Sequence, residues 1–232
     1  MRFSELEKIV SKHRMKRYLQ ACTLDKSKAV ELYLLNIQLS SETFKLICFF
    51  EIAFRNSINN HLSNLHGHNW LEQSISPSGF FNSPKTAITF SIIQNLKIDI
   101  SKGNYNQLIT QLGFGFWRHL FAPNQYKAIG SNLLEILIHK PKSTSSLQIN
   151  QKYIFKKLTE INDLRNRIAH HEPICFKNGL THLDISDTLR ISASIVLLLE
   201  WMNINTKNQF INLESINSIA LRAQKLIQQE TQ

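Results

Sequence analysis

Residues 165–172 read Arg-Asn-Arg-Ile-Ala-His-His-Glu, with Pro173 next. Those residue types suit the cleavage of RNA without a metal. Attack of a ribose 2′-hydroxyl on the adjacent phosphorus requires a base for the hydroxyl, an acid for the departing 5′-oxygen, and positive charge beside the pentavalent phosphate. Histidine titrates near neutrality and fills either proton-transfer role. Arginine keeps its charge and offers a fork of donors matched to phosphate oxygens. Arg165, Asn166 and His170 are therefore the candidate catalytic set, with Asn166 in a supporting part, four residues before His170 on the same helical face. Pro173 disfavours helical geometry at Glu172, which places His170 and His171 in the last turn, where unpaired carbonyls favour imidazolium. A single histidine cannot donate and accept protons in one concerted step. Two copies facing each other across a two-fold axis can, so the motif predicts a homodimer with a composite site, His171 assisting or substituting for His170.

The motif needs a helix to carry it. Ile154, Leu158, Ile161, Leu164 and Ile168 form one stripe on a helix predicted from about Gln148 to His171. Arg165 lies beside that stripe, Asn166 and His170 point away from it, and Asp163 and Arg167 are spaced as a local surface pair. A second long helix, Glu42 to Leu65, carries Ile47, Phe50, Phe54, Ile58, Leu62 and Leu65 on its apolar face, with Glu51 on that face and Arg55 at its edge. Glu51 and Arg55 are supporting candidates. Glu51 is expected to orient the Arg165 guanidinium, or else to pair locally with Arg55. The looser echo Arg55 to His61 reads as structural.

The remaining periodicity predicts helices over Ser4–Gln20, from Asp25 or Ser27 through Ile37 to a break at Ser40-Ser41, Lys85–Ser101, an aromatic segment from Gly113 to Phe121, Pro123–His139, Asp184–Met202 and a last one at the chain's end. Residues 66–84 and Lys142 to Ser146 read as loops. Their sum is an all-α helical bundle, read as one domain over 1–232 with residues 1–24 as a basic N-terminal helical extension. Phe114, Phe116, Trp117 and Phe121 read as core, and Gly113 and Gly115 as sites of close backbone approach.

Composition narrows the partners. Lys and Arg exceed Asp and Glu, giving a formal net charge of +10, which favours a polyanion. Between Lys140 and Lys157 there are five lysines and no acid: Lys140, Lys142, Lys152, Lys156 and Lys157 are the candidate RNA-binding residues. No apolar run is long enough to span a membrane and the first residues lack a signal-peptide pattern, so the expected location is the cytoplasm. Cys22, Cys48 and Cys175 read as reduced thiols, and Cys175 has no context for activation. His66-Gly-His68 and His170-His171-Glu172 lack the spacing of a known metal motif, so neither a metal nor a cofactor is expected. The competing reading is a basic bundle that grips RNA, or an antitoxin partner, without cutting.

The block from Arg165 to Ile174 closely resembles the signature of Abi-like abortive-infection proteins of the AbiD/AbiF type. Gly113-Phe-Gly-Phe-Trp117 resembles their second hallmark, and Leu32 to Ile37 and Glu51 to Arg55 resemble their N-terminal pattern. The family is similar to HEPN proteins, dimeric or paired helical bundles whose Arg-x4–6-His motif cleaves RNA without metal. The resemblance implies a HEPN-like bundle with additional helices, catalytic roles for Arg165 and His170, a supporting role for Asn166, and a phage-defence or toxin–antitoxin setting. A small noncoding RNA as partner or antitoxin is part of the same implication.

Overall fold

The computed structural model describes residues 1–99, 105–177, 179–207, 211 and 213–228. Among them the chain is all-α: α1 Phe3–Val10, α2 Lys12–Ala21, α3 Lys26–His66, α4 Trp70–Gln73, α5 Ala87–Asp99, α6 Tyr105–Gln111, α7 Phe114–His119, α8 Pro123–Ala128, α9 Gln151–Ala169, α10 Ser186–Trp201 and α11 Leu213–Gln228. Short 3₁₀ turns occupy Pro84–Thr86 and Leu133–Ile136. Among the described residues no helix is long and apolar enough to cross a membrane.

Two compact units make up the chain. The first takes Met1–Phe49, Asp163–Val196 and Lys207–Gln232; the second takes Phe50–Asn162 and Leu197–Thr206. Hence α3, α9 and α10 each contribute residues to both.

Several predicted elements differ from those observed, each for a local reason. The helix expected over Ser4–Gln20 is two helices, because Ser11 adopts φ 83° and ends α1. Its hydroxyl then accepts from the Arg14 amide at 3.3 Å and starts α2. The break expected at Ser40-Ser41 is absent. The buried series Leu35, Leu39, Thr43, Leu46, Ile47 and Phe50 passes the serines without a change of period. Serine costs only roughly half a kcal/mol in a helix, too little to interrupt a continuous buried face. Asp25 does cap α3, accepting from the amides of Ser27 at 2.8 Å and Lys28 at 3.0 Å. Gly67 ends it at φ 87°. The helix expected over Pro123–His139 stops at Ala128, where Gly130 and Ser131 both take positive φ. The loop expected over residues 66–84 contains α4, whose Trp70 is buried and donates its indole N–H to Asn59 at 2.9 Å. The predicted end of α5 at Ser101 lies outside the described residues.

In the second unit the core is aromatic. Phe50, Phe54, Phe114 and Phe121 form a cluster with ring centroids 5.4–6.1 Å apart. Phe114, Phe116, Trp117 and Phe121 are all buried, as the sequence indicated. The glycines flanking them do not mark a close approach: a Cβ on Gly113 would meet nothing within 4 Å, and one on Gly115 only the Asn162 amide oxygen at 3.9 Å. Leu65, at the end of the predicted α3 stripe, is 49% exposed.

The first unit is organised around the segment that follows α9. Asn36, 4% exposed on α3, accepts from the amides of both Ile174 and Cys175, at 2.9 and 3.1 Å. Thr188 on α10 donates to the Ile174 carbonyl at 2.8 Å. Tyr18 of α2 packs edge-on against Phe176 and Tyr33. Replacing Asn36 with Ala strands two buried amide donors, so Asn36→Ala is expected to destabilise the protein by at least about 2 kcal/mol in urea denaturation; an unchanged midpoint would show that other acceptors replace it.

Candidate active site

α9 begins with Asn150, whose side chain accepts from the Tyr153 amide at 3.1 Å. Its buried face is the predicted stripe, with Ile154, Leu158, Ile161 and Leu164 in the core and Ile168 half-buried. The motif lies at the helix's other end, wholly in the first unit. Helix and exit together form a Schellman closure. His170 donates its amide to the Asn166 carbonyl at 2.9 Å, His171 to Ile168 at 2.9 Å, and Glu172 to Arg167 at 2.8 Å. His171 occupies the left-handed position of that closure, φ 56°, which glycine usually takes. The sequence places unpaired carbonyls beside the histidines; the closure instead satisfies those of Asn166, Arg167 and Ile168 with backbone amides.

Arg165 is half-buried. Its Nη1 donates to the Asn166 side chain at 3.5 Å, and its Nε is buried without an acceptor. Within its unit no carboxylate among the described residues pairs with it. Asn166 is half-buried, and His170 and His171 are exposed. The structure therefore joins Arg165 to Asn166 directly and leaves His170 open at the helix end.

Arg167 does not form the predicted pair with Asp163. Its guanidinium turns to the exit segment, donating to the carbonyls of Pro173 and Phe176, the latter at 2.8 Å, with Glu172 at 3.6 Å. Carbonyl acceptors in a half-buried turn outcompete an exposed carboxylate, because the turn must be satisfied once desolvated.

Glu51 belongs to the second unit, where its carboxylate accepts from the Phe114 amide at 2.9 Å and so holds the start of α7. The local Glu51–Arg55 pair is not formed; Arg55 Nε donates to the Asn56 side chain at 3.2 Å. His61 is half-buried with its Nε2 buried and unpartnered. Of the candidate RNA-binding lysines, Lys142, Lys152 and Lys156 are exposed, and Lys140 and Lys157 half-buried.

Sequence reasoning missed the arginines of α2. Arg14 donates to the His171 carbonyl. Arg17 donates to the carbonyls of Lys177 at 2.7 Å and Leu180 at 2.8 Å, with its guanidinium 4.6 Å from the Phe176 ring centre. The sequence shows both only as part of a basic N-terminal helical extension; both hold the motif's exit segment. Arg14 and His171 also line a cleft of about 370 Å³ with Tyr33, Ser40, Ser41 and Phe44. No local signal marks these residues, because their partners are far away in sequence.

Cys175 is buried, and burial pushes its thiol up to about 12; burial likewise lifts Cys22 to about 11. Neither thiol is a nucleophile near neutral pH.

Glycine relieves the left-handed backbone at position 171, so His171→Gly is expected to raise unfolding free energy by roughly 0.5–1 kcal/mol in urea. A loss instead would show that the ring's contacts in the cleft outweigh the backbone. Because the folded thiols have raised pKa values, their stabilising contribution is present below the unfolded value of about 8.5 and is lost as pH rises toward 11–12. The urea midpoint should therefore fall between pH 8 and pH 10, and native Cys175 should resist iodoacetamide at pH 8 while the unfolded chain reacts.

The Abi-like protein family model matches residues 1–175, a span that takes in α9, its closure and the exit segment as far as Cys175. Neither a curated protein nor a solved structure matches the chain.

Proposed function

The chain belongs to the Abi-like protein family, and from that premise we propose that it is a metal-independent endoribonuclease acting in phage defence or as the toxin of a toxin–antitoxin pair. The reaction is attack of a ribose 2′-hydroxyl on the adjacent phosphorus. It expels the 5′-oxygen and leaves a 2′,3′-cyclic phosphate and a 5′-hydroxyl. One His170 takes the proton from the 2′-hydroxyl and the His170 of a second copy donates one to the 5′-oxygen. Arg165 guanidinium groups face the phosphate oxygens as negative charge builds, and Asn166 fixes the guanidinium plane. The exposed and half-buried lysines between Lys140 and Lys157 supply backbone affinity.

The observation that carries this reading is the state of Arg165. A half-buried guanidinium with a buried, unsatisfied Nε and no carboxylate in its own unit is unfavourable in the free protein. A phosphate supplies the missing acceptors and counter-charge. The open His170 at the end of the same helix provides the proton-transfer group. The resemblance of Arg165 to His170 to the HEPN motif points the same way. The setting is the cytoplasm, with a small noncoding RNA as partner or antitoxin.

The test uses purified protein and total RNA. Cleavage should persist in EDTA and fall at least about a hundredfold in His170→Ala, the usual scale of general acid–base catalysis. A tagged heterodimer of one native and one His170→Ala subunit should be as impaired as the double variant, because the site needs both imidazoles. A heterodimer with half the native rate would mean independent sites in each copy. Equal cleavage by native and His170→Ala protein would remove the assignment, leaving a binding module that does not cut.

A further inference from the structure

In the second unit, one stretch of α9 presents charges and rings together. A cavity of about 640 Å³ is lined by Lys152, Tyr153, Phe155, Lys156, Thr159 and Glu160, among others. Lys152 and Lys156 are exposed, four residues apart, and neither has an acid partner within its unit among the described residues. Tyr153 and Phe155 are half-buried, their rings open in part to the cavity.

Behind this surface stands Arg118, at the end of α7. Its guanidinium lies 5.4 Å from the centre of the Phe155 ring, and its Nη1 donates to the Thr159 hydroxyl at 3.1 Å. That hydroxyl in turn donates to the Phe155 carbonyl at 2.8 Å. Arg118 Nε is buried and has no acceptor. A cation covers one face of Phe155 while the ring lines a cavity flanked by lysines.

We propose that this cavity is a binding site for single-stranded RNA, in which a base stacks on Phe155 and the neighbouring phosphates meet Lys152 and Lys156. An acidic peptide would satisfy the lysines but has no planar face to match the guanidinium-backed ring. A duplex would satisfy the lysines but keeps its bases stacked on one another. Single-stranded nucleic acid satisfies both, with a π-face for the ring and a phosphate for each ammonium. Glu160, at the same cavity, disfavours a phosphate at its own position and so limits where the backbone can run. The choice of RNA over DNA rests on the ribonuclease reading; the stacking site itself does not.

The experiment measures binding of fluorescein-labelled twelve-nucleotide oligoadenylate to the full chain carrying His170→Ala, by anisotropy across a salt series. Phe155→Leu is expected to weaken binding about tenfold, the scale of one lost base stack. Phe155→Tyr keeps the ring and is expected to bind like the parent, which separates stacking from fold. The double change Lys152→Gln and Lys156→Gln should flatten the slope of log affinity against log salt by about 1.4, two phosphates' worth for a single strand. A twelve-base-pair RNA duplex should bind more weakly than the single strand. Parental binding by both the Phe155→Leu and the lysine variants overturns the site, as does equal affinity for duplex, or displacement by poly-glutamate as effective as by unlabelled oligoadenylate. These outcomes are separable from those of the cleavage assay. Groove variants that bind normally in a protein that cuts RNA would sink this site alone. Ring-dependent binding by a native chain that cuts nothing would sink the nuclease alone.

Discussion

A helix that ends under other structure leaves carbonyls and amides that need partners, and that requirement governs the first unit. At the end of α9 the backbone reverses at His171 in a left-handed conformation and closes its own carbonyls. Among the described residues, the segment beyond forms no regular structure that would satisfy it. Side chains from four helices supply the partners instead: Arg14 and Arg17 from α2, Asn36 from α3, Arg167 from α9 itself and Thr188 from α10. Each buried backbone group left unpaired would cost on the order of 1–3 kcal/mol. The arrangement is therefore strongly specified, and with it the place where His170 emerges.

This constraint changes what the basic residues are for. Charge alone suggests a polyanionic partner. Three of the arginines do something else. Arg14, Arg17 and Arg167 cap carbonyls, a task suited to a planar fork of donors. The cations left over are more informative. Arg165 and Arg118 are both half-buried, both keep a buried Nε without an acceptor, and neither has a carboxylate partner in its own unit among the described residues. Each also touches a neutral polar side chain, Asn166 for the first and Thr159 for the second, which orients the guanidinium without neutralising it. A buried donor without an acceptor costs stability in the free protein, and the phosphates proposed above would supply that acceptor.

The long helix α3 shows how far an unbroken apolar register can carry a helix through weak formers. Its buried positions run from Ala29 to Leu62 past Ser40 and Ser41. Along the way it offers Asn36 to the exit segment in the first unit and Glu51 to the start of α7 in the second. Both are polar residues on or beside a buried face. Each is tolerated there because backbone amides meet its oxygen.

The sequence alone determined the helical class, most helix positions, the aromatic core around Phe114 and Trp117, and the placement of Arg165, Asn166 and His170 at a helix end. Those features depend on interactions within about four residues, or on a period that survives in the order of side chains. Only the tertiary structure decided that Glu51 serves Phe114, that Arg167 ignores Asp163, and that the N-terminal arginines hold the motif's exit. Arg14 meets the His171 carbonyl across a separation of 157 residues, Arg17 meets Leu180 across 163, and Asn36 meets Ile174 across 138. A guanidinium or an amide will bond whichever acceptor packing leaves dry beside it. That choice is made only when the helices have come together, so it leaves no local pattern to read.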